Sequence, residues 1–229
     1  MTKIRLCFSK TGPLRYIGHL DLLKVFQQTI RRAGLPMAYS QGFNPHMMLS
    51  FALPLPLGMA SHNDYADISL EREMPMAELI SKLNGNAPKG LCINNALKFE
   101  GPGAAALVSA ADYLINLPSD INQDIVNKAI QSLLSCETIV IPKKTKSGIK
   151  DTDIKPDIFS ISSDDDSINL CLAAGSGRFL NPLIVANLIL GRDMAASSLI
   201  RKELYRQDET GMYSLNCGDV NKAIRKTGV

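Results

Sequence analysis

Lys3-Ile4-Arg5-Leu6-Cys7-Phe8-Ser9 alternates along its length, with Ile4, Leu6 and Phe8 on one side and Lys3, Arg5 and Cys7 on the other. A period of two is the signature of a strand with one face against a core. After a Gly12-Pro13 turn the period changes. Over His19–Ala33 the residues Leu22, Leu23, Phe26 and Ile30 fall on one apolar face, as a helix requires. Asp21 suits the positive N-terminal end of that helix, Arg31 and Arg32 suit its C-terminal end, and Gly34 stops it.

Outward from this pair, the first hundred residues read β-α-β-β-α-β. Met37–Ser40 and Met47–Leu53 are extended segments around a Gly42–Pro45 turn. Tyr65–Leu70 alternates as a strand, Pro75–Asn84 is a short amphipathic helix, and Gly90–Phe99 holds a closing strand. Two helices on one face of a four-stranded antiparallel sheet is the ferredoxin-like pattern. The second half repeats the order. Asp112–Leu117 and Thr138–Pro142 read as strands, Ile121–Leu134 as a helix, and Ile158–Ser162 with Ser167–Ala173 as a hairpin about Asp164–Asp166. Asn181–Leu190 carries Pro182 at a helix start, and Arg201–Gln207 is a last extended segment. The expected fold is therefore α+β, with tandem ferredoxin-like lobes and antiparallel sheets. One lobe covers residues 1–100 and the second 108–215, Gly101–Ala106 links them, and 216–229 forms a basic C-terminal tail.

Composition bounds the function. The chain has 229 residues, 45% apolar and 21% charged, and its net charge of +3 hides a gradient. From Met1 to Asn63 there are seven bases and one acid, Asp21, which predicts an anionic partner for that segment. The five cysteines (Cys7, Cys92, Cys136, Cys171, Cys217) are isolated and show no metal-ligand spacing, so buried reduced thiols in a cytoplasmic protein are expected. No apolar stretch is long enough for a transmembrane helix, and no membrane partner is expected. Walker, nucleophile-elbow, HExxH and Rossmann motifs are absent.

The chemistry-bearing residues cluster in two motifs, Tyr16-Ile17-Gly18-His19-Leu20-Asp21 and Tyr39-Ser40-Gln41-Gly42-Phe43-Asn44-Pro45-His46. Turn geometry explains Gly42 and Asn44-Pro45. It leaves Phe43, His46, Tyr39 and Tyr16, which with Asn44 at the same turn and beside Lys10, Arg15, Arg31 and Arg32 are the ingredients for binding a partner or stacking unpaired bases while neutralising phosphates. Phe43 and Tyr39 would equally serve as core beneath the loop. His19 reads first as a helix-start brace, then as an anion contact. Only with His46 beside it would it serve as metal ligand or acid-base pair, and neither metal nor cofactor is expected. Lys143–Lys155 reads as a flexible basic loop in which Lys143, Lys144, Lys146 and Lys150 could order on an anion. The Gly175–Gly177 stretch is too short to count as a phosphate cradle.

Arg15–Asp21, Arg31-Arg32-Ala33-Gly34-Leu35-Pro36, Tyr39–His46 and Leu49-Ser50-Phe51-Ala52-Leu53-Pro54-Leu55-Pro56-Leu57-Gly58 together resemble the bacterial radical-SAM-associated family, domain of unknown function 2344. The resemblance implies a radical SAM protein as partner and supplies no catalytic residues. The chain lacks the CxxxCxxC run of a radical SAM cluster, so radical chemistry would belong to the partner. Three functions follow as expectations. The first is a non-catalytic RNA-binding or substrate-presenting partner of a radical SAM enzyme. The second is an RNA-processing or RNA-modifying enzyme using His19 and His46. The third is a protein–protein adaptor without nucleic acid.

Overall fold

The alternating N-terminal segment forms β1 (Thr2–Lys10) in the computed structural model, which describes residues 1–145 and 148–216. It is followed by α1 (His19–Arg32), β2 (Leu49–Phe51), β3 (Ala60–Leu70), α2 (Met76–Asn86) and β4 (Leu91–Lys98). β1 lies between β4 and β3, antiparallel to both, and β2 pairs antiparallel with β3, so the strand order is 4-1-3-2. Ile4, Leu6 and Phe8 are fully buried against Leu22, Phe26 and Ile30 of α1 and Leu79 and Leu83 of α2. Phe8, Phe26 and Phe51 meet edge to face, with centroids 4.8 Å apart for Phe8–Phe26 and 5.1 Å for Phe26–Phe51. Each such ring contributes several kcal/mol of burial, so this triad anchors α1 to the sheet.

The second half begins with a single turn, α3 (Ala104–Leu107), and continues through β5 (Val108–Asn116), α4 (Gln123–Ser135), β6 (Val140–Thr145) and β7 (Gly148–Asp153). Then come β8 (Ile158–Asp164), β9 (Ser167–Ala173), α5 (Pro182–Leu190), β10 (Leu199–Asp208) and β11 (Gly211–Ser214). Its strands stand in the order β10-β5-β9-β8, every pair antiparallel, which is again 4-1-3-2 once the β6–β7 hairpin is set aside as an insertion. α4 and α5 start under Asn122 and Asn181, whose side chains accept from the amides of Asp124 and Leu183. The chain is thus mixed α+β around a nine-stranded sheet that runs through both halves.

The halves join along β3 and β10, the one parallel pairing among the described residues, which covers only Ala60–Ser61 and Ile200–Arg201. Side chains complete so short a seam. Arg201, 1% exposed, donates to Asp64 Oδ2 at 2.6 Å and to the carbonyls of Leu53 and Pro54 at 2.9 and 3.1 Å. Arg5 forms a second buried pair with Asp67 at 2.8 Å, and Asp67 also accepts from the Ala104 amide. The Gly101–Ala106 linker is therefore clamped onto the first half's sheet.

Several expectations need correction. The described part of Lys143–Lys155 is mostly ladder and not loop, β6 and β7 spanning residues 143–145 and 148–153 of it, because the β-branched run before it continues into the ladder. The expected Met47–Leu53 strand shrinks to Leu49–Phe51, since Ala52 onward turns toward the proline-rich segment. β11 was not foreseen, and residues 217–229, most of the expected basic tail, lie outside the described residues. Of the cysteines expected to be buried, Cys7 and Cys171 are, Cys92 and Cys136 are exposed, and Cys217 lies outside the described residues.

Candidate functional site

The loop Tyr39–His46 stands on the sheet by a short ladder. Met37 bridges to Leu70 and Tyr39 to Met47, and the Ser40 amide donates to His46 O at 2.9 Å. Ser40 Oγ then locks the loop from inside, accepting from the His46 amide at 3.1 Å and meeting His46 Nδ1 at 2.8 Å. Gly42 at the tip has φ 122°, a conformation that favours glycine. Phe43 and Asn44 are exposed, Phe43 completely. Tyr39 is 43% exposed and Tyr16, in the turn before α1, 62%. The reading of Phe43 and Tyr39 as core beneath the loop is therefore excluded.

The basic residues divide. Arg31 is exposed at the end of α1, and Arg32 is exposed while donating to Asn86 O at 3.0 Å. Lys10, expected to meet an anion, is 1% exposed, and its Nζ donates to Ile17 O at 3.0 Å. Burial lowers its pKa from the ordinary lysine value, opposed by the nearby Asp64 carboxylate. Lys10 is a structural cation and leaves the binding set. Arg15 is half-buried and donates to the carbonyls of Gly58 and Ser197, so it staples the two halves while its guanidinium lies 5.7 Å from the Tyr16 ring. Asp21, the lone acid of the first 63 residues, is paired with Lys24 at 3.1 Å. Lys143 and Lys150 are exposed in the β6–β7 hairpin, Lys144 is part of β6, and Lys146 lies outside the described residues.

His19 and His46 do not share a cleft. His46 lines a cleft of about 310 Å³ with Ser40, Lys3, Phe99 and the β2 residues Leu49 and Ser50. His19, edge-on to Phe51 at 5.4 Å, lines one of about 480 Å³ that reaches Ala105 and Gly175. Leu49 and Ser50 belong to both, so β2 forms the wall between the imidazoles. Among the described residues no group of three His, Cys, Asp or Glu side chains is placed to hold a metal.

A buried polar cluster at the junction of the halves escaped sequence reasoning. Tyr65 Oη donates to Glu203 and lies 3.1 Å from Ser214 Oγ, and Asn63 Nδ2 reaches Glu203 at 3.4 Å. Burial pushes the Glu203 carboxyl up to about 7 and the Cys7 thiol up to about 12. A thiol so reluctant to ionise is a poor nucleophile. Contacts spanning some 140 positions leave no periodic trace in the sequence.

These features define a class of protein: a two-part α+β chain whose chemistry-bearing side chains stand on exposed connections and in open clefts. The chain belongs to the bacterial family described as "Uncharacterized protein conserved in bacteria (DUF2344)", whose model matches residues 3–182. No curated protein matches it. A chain from the crystal structure of a Cbf5-Nop10-Gar1 complex is similar over 91% of this chain and 51% of its own, at 14% identity and a TM-score of 0.44. This protein thus spans about half the length of that chain. No helix among the described residues is long and apolar enough to cross a membrane.

Proposed function

We propose that this protein is a non-catalytic RNA-binding or substrate-presenting partner of a radical SAM enzyme, built from two ferredoxin-like units in tandem and acting in the cytoplasm. The observation that carries the RNA reading is the exposure of Phe43, Tyr39 and Tyr16 on braced connections. A fully solvated phenylalanine has no packing role, whereas an aromatic face held at a rigid loop tip suits stacking of unpaired bases, worth about 1–3 kcal/mol per base. Arg31 and Arg32 supply exposed positive charge, and Asp21 is already met by Lys24. The partner comes from the family resemblance of the motif residues, and the matched 4-1-3-2 orders support the tandem reading.

Catalysis by His19 and His46 has less support, since β2 separates them and Ser40 occupies His46 Nδ1. A pure adaptor draws support from exposed Tyr16 and Leu57, brought near each other by the Gly58 amide bond to Arg15 O at 2.8 Å. Binding of single-stranded RNA over a salt series tests the main reading. Affinity should fall steeply with salt, and replacing Arg31 and Arg32 together by alanine should weaken binding and flatten the slope by about 1.4, at roughly 0.7 per phosphate contact. A salt-independent affinity, or one unchanged in the double variant, would overturn it. A radical SAM protein that still co-purifies after nuclease treatment, with no RNA bound by the pure chain, would favour the adaptor.

A further inference from the structure

The connection Gly175-Ser176-Gly177-Arg178 between β9 and α5 stands where two clefts meet. Gly175 and Ser176 line both the cleft shared with His19 and a neighbouring one of about 320 Å³, which Gly177, Arg178 and Phe159 complete. The His19 cleft and this neighbour therefore meet at Gly175 and Ser176, while the His46 cleft beside the aromatic loop lies across the β2 wall, to whose two sides Leu49 and Ser50 both contribute. Packing explains Gly175, where a Cβ would come within 2.4 Å of Val108 O. It does not explain Gly177, whose Cβ would meet open space and whose φ lies outside the left-handed region. The amides of Ser176 and Gly177 find no acceptor among the described residues.

Charge arrives from the hairpin. β6 and β7 set Lys143 directly opposite Lys150, and side chains that oppose each other share a face. Residues two apart share it too, so both lysines lie on the side of buried Ile141, the side that meets the body. Lys143 Nζ donates to Phe179 O at 3.4 Å, which brings this face beside the glycine-rich connection. Asp151 falls on the other face, and Asp153 is spent on the amides of Ile139 and Lys155 at 2.8 and 3.0 Å. Arg178 is held by Asp157, so it fixes the loop and adds little net charge. Like charges set directly opposite each other destabilise a ladder.

We infer that Lys143, Lys150 and the amides of Ser176 and Gly177 form a phosphate-binding site for the backbone of a single-stranded RNA that crosses β2 from the aromatic loop and follows the two clefts that meet at Gly175 and Ser176. The inference rests on the RNA reading above and adds the second half's contact. It is tested on the full chain with two probes, an oligoribonucleotide long enough to span both halves and inorganic phosphate. Replacing Lys143 and Lys150 together by alanine should weaken RNA binding on the order of tenfold and reduce the salt slope by about 1.4. Gly177→Val, which meets open space, should keep the thermal midpoint and still weaken binding several-fold. Phosphate should shift the Ser176 and Gly177 amide resonances saturably in the parent protein and not in the lysine variant. RNA binding with an unchanged slope in the lysine variant, together with unshifted amides, overturns this inference and leaves the parent reading intact. If neither protein binds RNA, the parent reading falls. The phosphate titration then decides the anion site alone: a saturable shift supports it and no shift overturns it.

Discussion

Two connections occupy the same place in the two halves and are built from opposite chemistry. In the first half the chain passes from α1 to β2 through residues 33–48, and in the second from α4 to β8 through residues 136–157. The first is braced to the sheet by single bridges and a Ser40–His46 lock, and it displays Phe43 and Tyr39. The second forms its own two-stranded ladder and displays Lys143 and Lys150. Lys155 pins its base by donating to the carbonyls of Leu133 and Leu134 at the end of α4. One topological position thus carries flat apolar surface in one half and positive charge in the other. Bases and phosphates make the same division in a nucleic acid, and that complementarity is what the proposed function rests on.

The comparison presupposes that the halves act as one body, and Arg201 is the place to break it. Arg201→Ala strands the Asp64 carboxylate in the seam and should cost about 3–5 kcal/mol, measured by denaturant unfolding. A loss under 1 kcal/mol would mean that the seam does not hold the halves together. Phe43→Ala should leave stability within about 0.5 kcal/mol, since the ring touches no core, yet weaken RNA binding by about 1–3 kcal/mol with the salt slope unchanged. Loss at the lysine pair should instead change the slope. If both variants change the slope alike, the two connections do not divide the work. Gly175→Ala should destabilise by about 1–3 kcal/mol through its clash with Val108 O, while Gly177→Ala should be neutral, read from thermal midpoints.

The pH-dependent effect lies in the Glu203 cluster. Burial pushes its carboxyl up to about 7 from the ordinary glutamate value of 4.5, so the folded protein holds a proton there that the unfolded chain releases. This contribution is present in full at low pH, falls as pH rises from 4.5 toward 7, and is gone above that window. Glu203→Gln should flatten that segment of the stability profile and raise the thermal midpoint above pH 7. A profile unchanged by the substitution would show that the carboxyl is not buried as described.

Periodicity made most elements legible. The strand at Ile4–Phe8, the helix over His19–Arg32 and the second half's 3.6-period helices were visible because each has one buried face. Reading failed where pairing was set at a distance. Lys10 looks solvated in sequence, and only the approach of Ile17, Asp64 and Arg201 buries it. The lysine-rich stretch looked like a loop because charge masks its alternation, so the strand read over Thr138–Pro142 was ended too early. Of the candidate site, the aromatic motif was legible because turn residues could not account for Phe43. The Ser176–Gly177 connection was not, since its meaning comes from clefts contributed by β2, α3 and β9.

Photo-crosslinking of a 4-thiouridine-substituted single strand, with crosslinked peptides identified by mass spectrometry, tests the central claim most directly. Crosslinks should fall on the Tyr39–His46 loop and on the Gly175–Phe179 connection, and those at the loop should disappear with Phe43→Ala. Crosslinks confined to other surfaces, or none above a scrambled-protein control, would contradict it.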